Sequence, residues 1–393
     1  LANGTLDTGF DGDGFLNLDV TSGYDAAFSA FALSNGQLLV GARTGGTQSS
    51  LLRFNDDGSQ DLSYSLLGLH LLSGQSGVMA LRGLANGKLL AMSRNNQVAQ
   101  LNADGTVDED FASAGETAAL SDMSEASDII ALADGHRILL GRTPSGSIVL
   151  ARRQDDGALD ESFDGDSGSG NGIVINQPRH IGSATSLLAL LSQDDGKTIA
   201  IGYANNGDRD ITLSRYLPDG QLDTSFGTDG VSFLGGVGAI DTAGHAIWQG
   251  DKILVAGRLG NYAIVARFNN DGSLDTSFGA NGFRQLVSGS STNFHQLQLL
   301  DDGRIFAVGQ RNQDAYHDFY AVMLTANGAL DSNFGNNGTM QYNILEQEYA
   351  KGAVAVSGQF LLIGQSRASF SSSYSLRVLR INADGTVDTS FGS

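Results

Sequence analysis

Six arginines, Arg43, Arg94, Arg142, Arg258, Arg311 and Arg367, recur at or just after the end of a short apolar run. Tyr203 stands near the matching place in a seventh run. Arginine offers a planar fork of donors that fits carboxylate, sulfate or phosphate. A partial ring of such forks at one end of a repeating scaffold would suit an acidic sugar. The series also follows the repeat itself, as pairing with a carboxylate or carbonyl of the neighbouring unit would require, and that structural reading is preferred. A second set, Arg53, Arg153, Arg215, Arg267 and Arg380, falls late in the third run of each unit, just before an Asp-Gly step. It reads as an internal ion pair with the acidic residues of that step.

One stretch, residues 311–318, places Arg311, Tyr316, His317 and Asp318 in a single polar segment. These types suit acid-base chemistry on a sugar, with Tyr316 or His317 moving the proton and Arg311 neutralising a carboxylate. Neighbours in an extended segment point to opposite faces, however, and a solvated loop is the plainer reading. Calcium is weighed at Asp11 and Asp13, and at Asp164, Asp166 and Asn171, where oxygen ligands are densest. The segment 382–388 resembles part of a calcium loop but reads as an Asx-type turn. His245, His295 and the single Trp248 fall on first strands, as channel or packing residues. No metal-hydrolase His pair, nucleophile elbow or phosphate-binding Gly loop occurs.

The elements that position these residues come from a repeat. Its clearest copy is residues 269–282, Asn-Asn-Asp-Gly-Ser-Leu-Asp-Thr-Ser-Phe-Gly-Ala-Asn-Gly. The Gly of the Asp/Asn-Gly step recurs at Gly4, Gly58, Gly105, Gly157, Gly220, Gly272, Gly328 and Gly385. A period of about 50 residues marks a solenoid, an array or a propeller. Between two markers, residues 230–234, 245–249, 252–257 and 262–268 each read as a short strand bounded by Gly, Asn or Asp. Four strands per period with no helical pattern make one propeller blade. The aromatic after each motif, Phe278 for example, is expected to plug between adjacent sheets.

The copies at 271–279 and 219–227 (Asp-Gly-Ser-Leu-Asp-Thr-Ser-Phe-Gly and Asp-Gly-Gln-Leu-Asp-Thr-Ser-Phe-Gly) resemble the delta-60 repeat family of bacterial β-propellers, and more loosely NHL-type propellers. The copy at 57–64 departs most, with Gln60 where Leu is usual. The resemblance spans essentially the whole chain. It implies a propeller in an extracellular or cell-surface bacterial setting and brings no catalytic residues, because its signature is made of turn and packing residues.

Composition fits that reading. The chain has 393 residues, 53 of them Gly, and a formal net charge of -20. Such charge argues against nucleic acid or an anionic membrane as the main partner. There is no Cys, and no apolar run is long enough for a transmembrane helix. The chain starts at Leu1 within a motif, which reads as a piece of a longer parent.

The expected fold is therefore all-β: a seven-bladed propeller in one domain, residues 1–393, with four-stranded antiparallel blades. Residues 14–20 are expected to close it as the outer strand of the last blade, although the motifs at residues 3–10 and 384–391 would then compete for one place. Longer connections are expected at 164–172, 204–210, 311–318 and 368–374. The leading expectation for function is a non-enzymatic binding or adhesion module for a glycan or protein, with no required cofactor. The alternatives are a lyase or hydrolase acting on an acidic polysaccharide, and a purely structural module.

Overall fold

A computed structural model of the chain describes residues 20, 25–65, 68–165, 170–176, 186–205, 209–235, 241–288, 292–313, 316–343, 347–356, 358–367 and 375–390. Among the described residues seven antiparallel blades follow one another along the sequence, the last two joined into one sheet. Blade 1 is Ala26–Ala32, Leu38–Thr44, Gln48–Phe54 and Leu69–Gln75. Blade 2 is Val78–Gly83, Leu89–Ser93 and Val98–Leu101, with residues 115–117 bonded along its outer edge. Blade 3 is Glu125–Ala131, Arg137–Arg142, Ile148–Arg153 and Ile173–Asn176. Blade 4 is Ser186–Ser192, Thr198–Asn205, Arg209–Tyr216 and Val231–Leu234. Blade 5 is Thr242–Gln249, Lys252–Leu259, Tyr262–Phe268 and Phe283–Ser288. Blade 6 is Asn293–Leu299, Ile305–Gln313, Tyr316–Leu324 and Thr339–Tyr342. Blade 7 is Gln347–Val356, Gln359–Arg367 and Ser375–Ile381, and a single parallel pairing of His317 with Gln347 links it to blade 6.

The first strand of each blade packs beside the first strand of the next, from blade 1 to blade 7. The ladder between first and second strands slips once in every blade, as between Ala243 and His245 or between Phe294 and Gln296. The slip falls at the same place each time and sets the register of the residues beyond it. Closure by residues 14–20 lies outside the described residues except for Val20, which packs against blade 1 at Ala42, Leu52 and Phe54.

Side chains alternate across each strand, so each blade offers one apolar row to each neighbour. In blade 5, Ile253 and Val255 pack toward blade 4, and Leu254 and Ala256 pack toward blade 6. The motif aromatics sit in these inter-blade layers: Phe226 between blades 4 and 5, Phe278 between 5 and 6, and Phe334 between 6 and 7. Each is fully buried.

Two of the expected long connections are strand. The second and third strands of blade 4 pair out to Asn205 and Arg209, and those of blade 6 out to Gln313 and Tyr316. Polar residues there suggested loops, but backbone ladder bonds do not require apolar side chains. The connection expected at 368–374 lies outside the described residues.

Candidate functional site

The motif acids are held by a repeated lock. The Nε of Arg53, Arg215, Arg267 and Arg380 donates to the carboxylate of Asp61, Asp223, Asp275 and Asp388 respectively, at 2.8 Å in each case. In blade 3 the partner of Asp160 is Arg152, at 2.5 Å, and not Arg153. Arg153 lies one residue on and so faces the other side of the sheet. It donates to the carbonyls of Gly157 and Ala118, and burial pushes its guanidinium down to about 10. The same arginines reach the next blade. Arg53 donates to the carbonyl of Asp104 and Arg267 to that of Ala326, each at 2.7 Å, while Arg152 and Arg215 contact the carbonyls of Pro218 and Asn270. Their guanidiniums lie over motif aromatics, 4.7 Å from the ring centres of Tyr64, Phe226 and Phe278.

The residue at the start of each second strand, or just before it, also serves the lock. Gln37, Lys88, His136, Lys197, Lys252, Arg304 and Gln359 all approach the motif Asp of their own blade. Blades 2 and 6 carry Gln100 and Met323 where the others have Arg. There Lys88 pairs with Asp108 at 2.7 Å and Arg304 with Asp331 at 3.1 Å. A cation thus reaches every motif Asp that lacks the usual arginine.

The other motif acids form Asx turns. Asp57, Asp104, Asp271 and Asp384 each accept from the backbone N–H and the hydroxyl two residues on. Hydrogen bonds from Ser63 are the main cause holding Asp61 down at about 2, with Arg53 and Gln37 adding to it. A depressed folded-state pKa gives stability that is present above the unfolded value of about 4 and lost as pH falls through the folded value. The unfolding midpoint in urea is therefore expected to stay flat above about pH 5 and to fall steeply between about pH 4 and 2. A midpoint unchanged down to pH 2 would contradict the lock.

The first arginine series divides. In register, Arg43, Arg142, Tyr203 and Arg258 hold one position, paired with Ala26, Glu125, Ser186 and Thr242. In blades 6 and 7 that position belongs to Gln310 and Gln365, so Arg311 lies one residue beyond it and Arg367 two. Arg94 and Arg142 both meet Glu125, at 3.7 and 2.7 Å. Arg43 lies 5.6 Å over the Phe28 ring, and Arg209 lies 5.4 Å over Tyr203. The one-residue offset turns Arg311 to the opposite face of its sheet, back toward blade 5. Arg258 faces forward to blade 6, so the two arginines face the same inter-blade layer.

The residues of the 311–318 segment do not converge. Arg311 and Asp318 pair in register and face blade 5. His317 faces blade 7, with its ring centre 4.6 Å from that of Tyr349, and burial lowers its pKa. The backbone of Tyr316 pairs with Gln313. His245 receives the N–H of Leu297, and His295 lies 3.4 Å from the Gln310 side chain, so both are hydrogen-bonded between strands.

Of the calcium candidates, Asp164 accepts from the N–H of Gly170 and Asn171 from that of Ile173, while Asp11, Asp13 and Asp166 lie outside the described residues. No group of three or more His, Asp or Glu positioned for a metal occurs among the described residues. No described helix is long and apolar enough to cross a membrane. On the face that carries the motif turns, Trp248 borders an open cavity of about 640 Å³ lined also by Asp194, Asp195, Asp251 and Asn270. Its indole N–H donates to the carbonyl of Ser192 at 3.0 Å, fixing the ring between blades 4 and 5.

Comparison with known proteins supports the architecture. Residues 33–64, 193–226, 249–278 and 357–391 match a family model described as "Domain of unknown function (DUF5122) beta-propeller". Each matched segment runs from the turn before a second strand through the motif. No curated protein matches the chain. The C-terminal WD40 domain of Sif2 aligns over 90% of this chain and 81% of its own at 12% identity, with a TM-score of 0.50. A protein of unknown function from Bacteroides caccae aligns over 74% of this chain and 90% of its own at 15% identity, with a TM-score of 0.42. BamB from Moraxella catarrhalis aligns over 86% and 82% at 12% identity, with a TM-score of 0.41. The likeness to the WD40 domain concerns fold alone. With the family match and the seven blades, it supports a β-propeller fold.

Proposed function

We propose that this propeller is a non-enzymatic binding module of an exported bacterial protein, taking an acidic glycan on the face where the second strands end. The observation that carries this reading is the division of the arginines. Those near the motif turns are engaged by Asp and by carbonyls of the next blade. On the opposite face, Arg258 and Arg311 both face the layer between blades 5 and 6. In a chain of net charge -20, such a local pair of arginines selects for anions at short range. The exported setting rests on the resemblance to delta-60 repeats. Hydrolase or lyase chemistry finds less support, since His317 and Arg311 lie on opposite faces of their sheet. The reading needs no cofactor.

The test is migration in native gels cast with polygalacturonate, chondroitin sulfate or neutral dextran, followed by a reducing-end assay. Retardation by the acidic polymers alone, weakened by added salt and without new reducing ends, is the expected result. Equal retardation by dextran would remove the acidic specificity. New reducing ends would replace the module with an enzyme.

A further inference from the structure

The cleft between blades 5 and 6 holds more than two arginines. Arg284, on the outer strand of blade 5, pairs with Val265 and so shares the face of Ala256 and Arg258. Blade 6 supplies Arg311, Asp318, Tyr320 and Gln341, which the ladders place on one face. The charges of Arg311 and Arg284 both act on the phenol of Tyr320.

Polar atoms in this cleft lack protein partners. Tyr320 is 1% exposed and Asp318 3% exposed. The Tyr320 hydroxyl, the Asp318 Oδ1 and the Nε atoms of Arg258, Arg284 and Arg311 are all buried without a hydrogen-bond partner among the described residues. The Nε edge is one side from which a guanidinium can receive a carboxylate with two parallel bonds. Arg311 stands opposite Asp318 in register, yet Gln341 stands between them. Its Oε1 accepts from Arg311 at 2.5 Å, and its amide nitrogen donates to Asp318 Oδ2. Arg311 is thereby held short of neutralising the acid. Among the described residues three guanidiniums face one carboxylate there, and buried polar groups are ordinarily satisfied.

We infer that this cleft is an oxyanion seat for one charged sugar unit, with Arg258, Arg284, Arg311 and the Tyr320 hydroxyl donating to its carboxylate or sulfate and Asp318 Oδ1 accepting from a neighbouring ring hydroxyl. The inference rests on the glycan-binding reading and deepens it to one site and one ligand class. The sugar's anionic group provides the acceptors that the arginine Nε atoms lack. Its hydroxyl supplies the donor that Asp318 Oδ1 lacks. Stacking of Tyr320 on Phe294, with ring centres 5.9 Å apart, fixes the phenol in place.

The test is isothermal titration of the full chain with D-glucuronate, inorganic sulfate and glucose. Glucuronate is expected to bind one per chain and glucose not at all. Arg284→Gln and Tyr320→Phe are each expected to weaken glucuronate about tenfold to a hundredfold, the loss of one charge-assisted hydrogen bond. Arg82→Gln, on a half-exposed residue of blade 2, should leave binding unchanged. Tyr320→Phe separates binding from folding: removing an unpartnered buried hydroxyl should hold or raise the unfolding midpoint while affinity falls. Sulfate competing with glucuronate supports an oxyanion seat, and sulfate binding alone overturns the sugar assignment. Glucuronate binding that survives in both Arg284→Gln and Tyr320→Phe overturns the seat, even where acidic polymers still retard the protein. Binding of glucuronate without retardation by any polymer upholds the seat and removes the glycan module.

Discussion

Asp275→Ala is expected to destabilise the protein by about 3–5 kcal/mol, the usual consequence of removing one partner from a buried ion pair. Arg267 and Asp275 are each 7% exposed. Without the carboxylate, the guanidinium stays enclosed between the Phe278 ring and the next blade's turn with only neutral acceptors. The reverse change, Arg267→Met, should cost clearly less, about 1–2 kcal/mol. Blade 6 shows why. Met323 already occupies the arginine position there, and Asp331 is served by Arg304 from the residue before the second strand. In blade 5 the corresponding residue is Lys252, whose ammonium lies 3.7 Å from Asp275 and can move in. Urea unfolding of the two variants decides the point. An Arg267→Met loss equal to or greater than that of Asp275→Ala would show that Lys252 does not compensate.

The lock also shows what the sequence made legible. The repeat, the strands and the inter-blade place of the motif aromatics follow from turn chemistry and spacing, because Asp-Gly steps and short β-rich runs constrain the backbone locally. The choice of Arg153 over Arg152 failed although the signal was present. Every third-strand arginine of the lock stands eight residues before its Asp, as Arg53 does before Asp61 and Arg267 before Asp275. That spacing selects Arg152 for Asp160. The residue at the start of the second strand, or just before it, carried a signal too, a Gln, His, Lys or Arg in every blade, but its partner is distant in sequence.

The candidate seat was harder to see. Arg258 and Arg311 look equivalent along the chain, and only the ladder shows that Arg311 is displaced by one residue. In a strand a displacement of one reverses the face. Arg284 lies on an outer strand, which carries no arginine series, and Tyr320 on the third strand of blade 6, where Met323 stands at the arginine position, so the repeat does not single them out. The same alternation that separates His317 from Arg311 brings Arg311 to Arg258.

Phe278→Ala should cost about 3–5 kcal/mol, the range for truncating a buried aromatic, and a second substitution tests what the ring is packed against. Gly328, in the motif turn of blade 6, has φ +79 and lies against Phe278 so closely that an added Cβ would fall 2.8 Å from the ring. Gly328→Ala therefore carries two penalties: the left-handed backbone, about 1–2 kcal/mol for a residue with a Cβ, and the overlap with Phe278. The double variant should lose less than the sum of the two single losses, by about 1 kcal/mol, because the overlap vanishes with the ring. Purely additive losses would mean that the glycine serves the turn alone. The same contact recurs where Gly272 meets Phe226 and Gly385 meets Phe334. A motif whose Arg, Asp, Phe and Gly all hold one blade to the next has little left for ligand chemistry. Under the proposed binding role, recognition would fall where a blade departs from the repeat, and the one-residue shift of Arg311 is such a departure.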